Sequence, residues 1–233
     1  MSGILYGIGI GPGDPDLLTL KASRLLAELP VLAWPAPEEG PGLARTIAAA
    51  HIPEGRVEIP IRLSFRPGRD DTDAAYGAAA ASIAAHLDQG RDVGVLCEGD
   101  PLFFGSFIHL LSRLDSRHPV TVVPGVASPM AAAAAAGRPL ASLDESLAII
   151  PATRPEETIA TLLDAADSAV IMKIGRHLPK IRRVLDRLGR SGDALLAERI
   201  GQPGQRIGPL DRADPDHTPY FSLILVGRRS PAR

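Results

Sequence analysis

The sequence predicts an α/β protein made of two lobes, each with a sheet flanked by helices. Short apolar runs alternate with helical segments along the whole chain. Glycine (23) and proline (22) are abundant, which supplies the many turns such alternation needs. A chain of 233 residues accommodates two domains of about 110 to 120 residues each. Strand–helix–strand alternation requires crossover connections, and these favour a parallel, doubly wound sheet.

Taken in order, residues 4–10 (Ile-Leu-Tyr-Gly-Ile-Gly-Ile) form an apolar run bounded by glycine, as in a strand buried on both faces. From Asp16 to Glu28 leucines recur at helical spacing, and Asp14 and Pro15 supply an N-cap and a first helical residue. Val31–Trp34 reads as a strand, Leu43–His51 as a helix and Val57–Ile61 as a strand. A polar, basic loop follows over residues 62–72, then an Ala-rich helix from Thr72 to Gln89 and a fourth strand from Asp92 to Glu98.

The charged stretch Ser112–Pro119 ends in proline and reads as the boundary, giving lobes at residues 1–117 and 118–233. In the second lobe Val120–Val123 reads as a strand and Ala127–Ala136 as a helix. The strand Leu147–Pro151, the helix Glu156–Ala166, the strand Ala169–Ile174 and the helix His177–Leu188 come next. Ala194–Ile200 and Tyr220–Val226 are the final strands.

Composition excludes several functions. Lys and Arg total 25 against 27 Asp and Glu, a net charge of −2, so no global basic field draws nucleic acid or an anionic membrane. Aromatic residues are 4% of the chain, too few for platforms that stack single-stranded bases. The single cysteine, Cys97, sits in an apolar run and reads as a buried small hydrophobe rather than a nucleophile. Neither it nor the six histidines has metal-ligand spacing, so no metal site is expected. The opening residues have no basic segment leading into a long apolar run, and no stretch is long and apolar enough to span a bilayer. The expected location is the cytoplasm.

Three turns stand out. Gly7-Ile-Gly-Ile-Gly-Pro-Gly-Asp14 follows the first strand but breaks the G-x-G-x-x-G spacing, and its carboxylates crowd the place a phosphate would take. Glu98-Gly-Asp-Pro-Leu-Phe-Phe-Gly105 follows the fourth strand, at the carboxyl end where open α/β sheets bind ligands. Val123-Pro-Gly-Val-Ala-Ser128 again joins strand to helix. Any one alone is ordinary capping. Together, rich in carbonyls and carboxylates, they suit a ligand that is uncharged or cationic at its centre.

The string from Tyr6 to Lys21 resembles the opening motif of the tetrapyrrole (class III) S-adenosylmethionine methyltransferases. Gly99–Gly105 and Val123–Ser128 resemble that family's second and third signatures, and Met172–Gly175, Glu198–Gln205 and Pro219–Leu223 follow in the expected order. Gly105–Phe107, Pro129–Ala132 and Met172–Gly175 most resemble the precorrin-2 C20-methyltransferase branch of cobalamin biosynthesis. The resemblance implies two α/β lobes, the second with a mixed sheet, the cofactor between them, and a homodimer. It implies cofactor contacts at Pro12, Glu98, Gly99, Asp100, Phe103, Ala127, Ser128, Met172, Ile200 and Gly201. The implied reaction moves a methyl from S-adenosylmethionine, leaving S-adenosylhomocysteine, to C20 of precorrin-2 or its cobalt form. Asp100, Glu98 or water would take the C20 proton. Some relatives carry an Asp after the second strand; here the region reads Ala33-Trp-Pro-Ala-Pro-Glu38, so no acid–base role transfers to it.

A precorrin carries several carboxylates, which calls for local positive charge. Arg62, Arg66 and Arg69 in the 62–72 loop are one candidate cluster, and Lys173, Arg176, His177 and Lys180 another. The alternatives are a methylase acting at another corrin position and a nicotinamide-dependent oxidoreductase, the latter opposed by the failed phosphate fingerprint.

Overall fold

The structure, a computed structural model, describes residues 2–64, 72–214 and 217–227. The chain divides into two compact units, Met1–Ala127 and Ser128–Arg233.

The first unit holds a five-stranded, wholly parallel sheet of β1 (Leu5–Gly9), β2 (Val31–Pro37), β3 (Val57–Leu63), β4 (Val93–Cys97) and β5 (Val120–Val123). Their order is β3-β2-β4-β1-β5. Strand side chains alternate between faces, and both faces are covered. Leu5, Val31, Ala33, Val93, Val95 and Cys97 pack with α3 (Thr72–Asp88) and α4 (Phe107–Leu114). Ile8, Leu32, Trp34 and Leu96 pack with α1 (Leu20–Glu28) and α2 (Leu43–Ile47) on the other face.

Some expected boundaries shift. Asp14 does not cap a helix from Asp16; its Oδ1 accepts from the Asp16 N–H at 2.9 Å and closes a separate 3-10 turn, Pro15–Leu17. The long helix begins only at Leu20, where the Thr19 hydroxyl accepts from the Ala22 N–H at 3.1 Å. The lobe boundary expected at 117/118 is also displaced. Val120–Val123 pairs in parallel with β1, so it completes the first sheet and the division falls after Ala127. Residues 112–119, read as the boundary, are largely the end of α4 and its exit, anchored by Leu114 and by His118, whose Nδ1 meets the Ser2 hydroxyl at 2.8 Å.

The second unit holds a mixed sheet of β6 (Leu147–Pro151), β7 (Ser168–Met172), β8 (Ala194–Glu198), β9 (Arg206–Pro209) and β10 (Ser222–Val226). Their order is β6-β7-β10-β8-β9. β6 is parallel to β7, β10 is antiparallel to both β7 and β8, and β9 is antiparallel to β8. The carboxyl ends of β7 and β8 therefore lie at the same end of the sheet, on either side of the start of β10. The helices are α5 (Ser128–Ala136), α6 (Glu156–Ala165) and α7 (Leu178–Arg187); α6 and α7 bury Ile159, Leu163, Ile181, Val184 and Leu185 against the sheet. Arg190 lies 2% exposed within this unit. Its guanidinium donates to the carbonyls of Leu163, Ala166, Asp167 and Gly227 at 2.6–3.0 Å. The short strand β9 has no counterpart in the sequence reading, since four residues beside glycine and proline give too little alternation to detect.

Candidate functional site

In the first unit the three turns named from sequence leave adjacent strands β4, β1 and β5 at their carboxyl ends, and they touch one another through backbone. The Gly99 N–H donates to the Gly11 carbonyl at 2.8 Å, and Ile10 N–H donates to the Cys97 carbonyl at 3.0 Å. A Cβ on Gly125 would lie 2.1 Å from the Gly99 carbonyl oxygen and 2.8 Å from Gly9 Cα; one on Gly9 would lie 2.5 Å from the Gly125 nitrogen. No side chain fits between these reversals, so glycine is demanded by close approach.

Asp100 fastens the arrangement. Its Oδ1 accepts from the Leu102 N–H at 2.9 Å and its Oδ2 from the Gly125 N–H at 3.0 Å. Beyond Asp100 the chain turns through Phe104 in the left-handed region (φ +56°), setting the Phe103 and Phe104 rings edge to face at 5.1 Å. Phe104 and Leu102 are exposed beside the turn. Pro12 is buried in the first turn, and Ala127 is buried at the end of the third.

Glu98 closes β4 and is partly buried. Desolvation pushes its carboxyl pKa above the ordinary value, offset in part by hydrogen bonds from its own N–H and that of Ala44. Cys97, one residue earlier, is 1% exposed, and burial pushes its thiol up to about 12. At neutral pH so little thiolate forms that nucleophilic chemistry is closed to it.

Of the first cationic cluster the structure describes Arg62 alone. Arg62 donates from Nη1 to the carbonyls of Pro37 and Gly40 at 2.9 and 2.6 Å, so it braces the loop after β2. Arg66 and Arg69 lie outside the described residues.

In the second unit, Met172 ends β7 and is partly buried, and its carbonyl accepts from the Ala152 N–H at 2.8 Å. Lys173 follows in the left-handed region (φ +57°), and Arg176 is exposed in the next 3-10 turn, Gly175–His177. At the end of β8 the matching positions are Glu198, then, past the strand, Arg199, also left-handed (φ +50°), buried Ile200 and Gly201, whose N–H donates to Gln205 Oε1 at 2.7 Å. Met172 pairs with Leu223 and Glu198 with Ser222, so Met172, Ile200 and Gly201 gather around the start of β10. Ser128 opens α5 of the same unit. The positive φ of Arg199 was not legible in the sequence, because nothing in the letters marks a non-glycine residue with that conformation.

The first unit's turns offer backbone N–H and C=O groups, fixed carboxylates and phenyl rings, with no phosphate-binding cation among the described residues. That donor set fits a sulfonium nucleoside better than a nucleotide.

Comparison with known proteins agrees. The tetrapyrrole (corrin/porphyrin) methylases match residues 4–214. A precorrin-2 C(20)-methyltransferase of Sinorhizobium sp. is 41% identical, the match covering 97% of each chain. A cobalamin biosynthesis protein CobIJ of Mycobacterium bovis is 40% identical over 97% of this chain but only 47% of its own length, so the chain spans about half of that relative. The crystal structure of a uroporphyrin-III C-methyl transferase from Thermus thermophilus, complexed with S-adenyl homocysteine, superposes with a TM-score of 0.72 at 26% identity, covering 97% of both chains.

Proposed function

The chain belongs to the tetrapyrrole (corrin/porphyrin) methylases, and from that premise we propose that it transfers a methyl group from S-adenosylmethionine to C20 of precorrin-2 or of its cobalt-loaded form. The observation that carries this reading is the backbone-to-backbone cluster of the turns after β1, β4 and β5, fastened by Asp100. Its support is the 41% identity, across 97% of both chains, to a protein named for that reaction.

When bound, S-adenosylmethionine supplies a methyl activated by the neighbouring sulfonium. The chain's part is to bind and orient. Gly9, Gly99 and Gly125 bring three reversals close enough to present a rim of carbonyls and N–H groups, favourable to positive charge. Asp100 keeps that rim fixed; with one N–H already on each oxygen, it is a positioning residue first. Holding reactants in alignment can remove several kcal/mol from a displacement barrier without a protein nucleophile. The meso carbon that accepts the methyl must then lose its proton. Glu98, whose carboxyl pKa is raised by desolvation and whose carboxylate is a stronger base for it, is the proton acceptor in this reading, since both oxygens of Asp100 already accept backbone N–H groups. Lys173 and Arg176 would meet substrate carboxylates. The same reading carries a homodimer and a cytoplasmic location.

Incubation of the purified chain with S-adenosylmethionine and precorrin-2 tests it by mass spectrometry. A gain of one methyl on the tetrapyrrole is expected, and an unchanged substrate mass refutes the proposal.

A further inference from the structure

The second unit contains a cavity of about 440 Å³ lined by Glu198, Arg199, Gly204, Arg206, His217 and Pro219. Two of its polar side chains already have partners. Glu198, 8% exposed, accepts from Arg206 Nε at 3.0 Å. His217 Nδ1 lies 2.7 Å from Asp214 Oδ2.

Arg199 is different. Among the described residues no hydrogen bond or ion pair engages its guanidinium. The side chain passes over Gly204, where a Cβ would sit 3.6 Å from Nη1. Its backbone is left-handed (φ +50°) at the end of β8, held there as its N–H donates to the Phe221 carbonyl at 2.8 Å. A residue with a side chain adopts this conformation only where the surroundings impose it, and such outliers gather at ligand sites. Glu198 and Arg206 cancel, so among the described lining residues Arg199 adds a positive charge without a carboxylate partner.

We propose that this cavity binds a carboxylate, with Arg199 as its bidentate anchor and Arg206 and His217 at its flanks. The planar guanidinium matches a carboxylate through two parallel N–H···O bonds, a fit that lysine cannot reproduce. The inference rests on the methyltransferase reading, which supplies two carriers of that group. They are the acid side arms of the tetrapyrrole and the amino-acid end of S-adenosylmethionine.

Two probes separate the carriers: uroporphyrin III, an octacarboxylic porphyrin, by fluorescence titration, and S-adenosylhomocysteine by calorimetry. Each is measured on the wild type and on Arg199→Gln, Arg199→Lys and Arg199→Gly, alongside thermal melting. At least a tenfold loss of one probe's affinity in Arg199→Gln and Arg199→Gly is expected, with Arg199→Lys intermediate. Loss of uroporphyrin III places a substrate arm in the cavity; loss of S-adenosylhomocysteine places the cofactor's carboxylate there. Arg199→Gly should melt no lower than wild type, because glycine is at ease in this conformation. Unchanged affinity for both probes in every variant overturns the proposal, as does a fall in melting temperature that accounts for the lost binding. Wild-type protein that binds neither probe refutes the underlying methyltransferase reading instead.

Discussion

Asp100 Oδ2 accepts a hydrogen bond from the Gly125 N–H at 3.0 Å, so a side chain of the turn after β4 holds the turn after β5. Its other oxygen secures the Leu102 N–H of its own turn. One carboxylate thereby fixes two chain reversals whose strands are separated by β1.

Removing this clamp should cost stability and ligand affinity in a graded way. Hydrogen bonds to a charged group contribute about 1.5–3 kcal/mol. Asp100→Ala should lower stability within that range and weaken S-adenosylhomocysteine binding about tenfold. Asp100→Asn, which keeps one acceptor oxygen, should fall between. Equal behaviour of Asn and wild type in calorimetric titration would show that the second bond contributes nothing.

Close approach at Gly125 gives a sharper contrast. The added methyl of Gly125→Ala would lie 2.1 Å from the Gly99 carbonyl oxygen, a backbone atom that cannot swing aside. We expect a loss of about 3 kcal/mol or more in chemical denaturation. Gly208→Ala on β9, where nothing lies within 4 Å of the new carbon, serves as the control. It should change stability by less than about 0.5 kcal/mol.

Glu98 should leave a signature in the pH dependence of stability. Its folded pKa is raised, chiefly by desolvation, so the folded protein holds this proton more tightly than the unfolded chain does. The stabilisation is complete below the unfolded value of about 4.3 and is lost as pH rises through the raised folded value. Glu98→Gln, always neutral, should therefore gain melting temperature relative to wild type as pH rises above the unfolded value of about 4.3. A difference that stays flat or shrinks would contradict this assignment. If Glu98 also accepts the substrate proton, kcat of the same variant should fall by about 10² or more while KM changes little.

Arg190 is a structural cation. Truncation would strip hydrogen bonds from four carbonyls inside the second unit. Arg190→Ala should cost about 3 kcal/mol or more, a fall of roughly 6–12 °C in Tm by calorimetry.

Much of the fold was legible because its strands obey simple rules. Val31 to Trp34 alternate between two helix-covered faces, and the resulting continuous apolar run is what a parallel strand buried on both sides requires. Pairing between distant segments was not legible. Val120–Val123 reads as a strand in any account, but only its register against Leu5–Ile8 assigns it to the first sheet. Residues 112–119 read as a lobe boundary from their charge and closing proline. In the fold Arg113 pairs with Asp73, and His118 is buried against Ser2.

The site divides in the same manner. Its glycines and Asp100 were visible as a motif, and their convergence follows from where β1, β4 and β5 end. Arg62 was chosen for its charge, yet its Nη1 donates to the Pro37 and Gly40 carbonyls. Arg199 was passed over, because backbone strain and an unmatched charge are properties of three-dimensional surroundings.

The most direct test of the proposed reaction follows the methyl carbon itself. The chain is incubated with precorrin-2 and S-adenosylmethionine labelled with ¹³C in its methyl group, and the product is read by ¹³C NMR. One enriched methyl resonance, coupled to C20 of the macrocycle, is the predicted result. Enrichment at any other ring position, or none on the tetrapyrrole at all, would contradict the assignment.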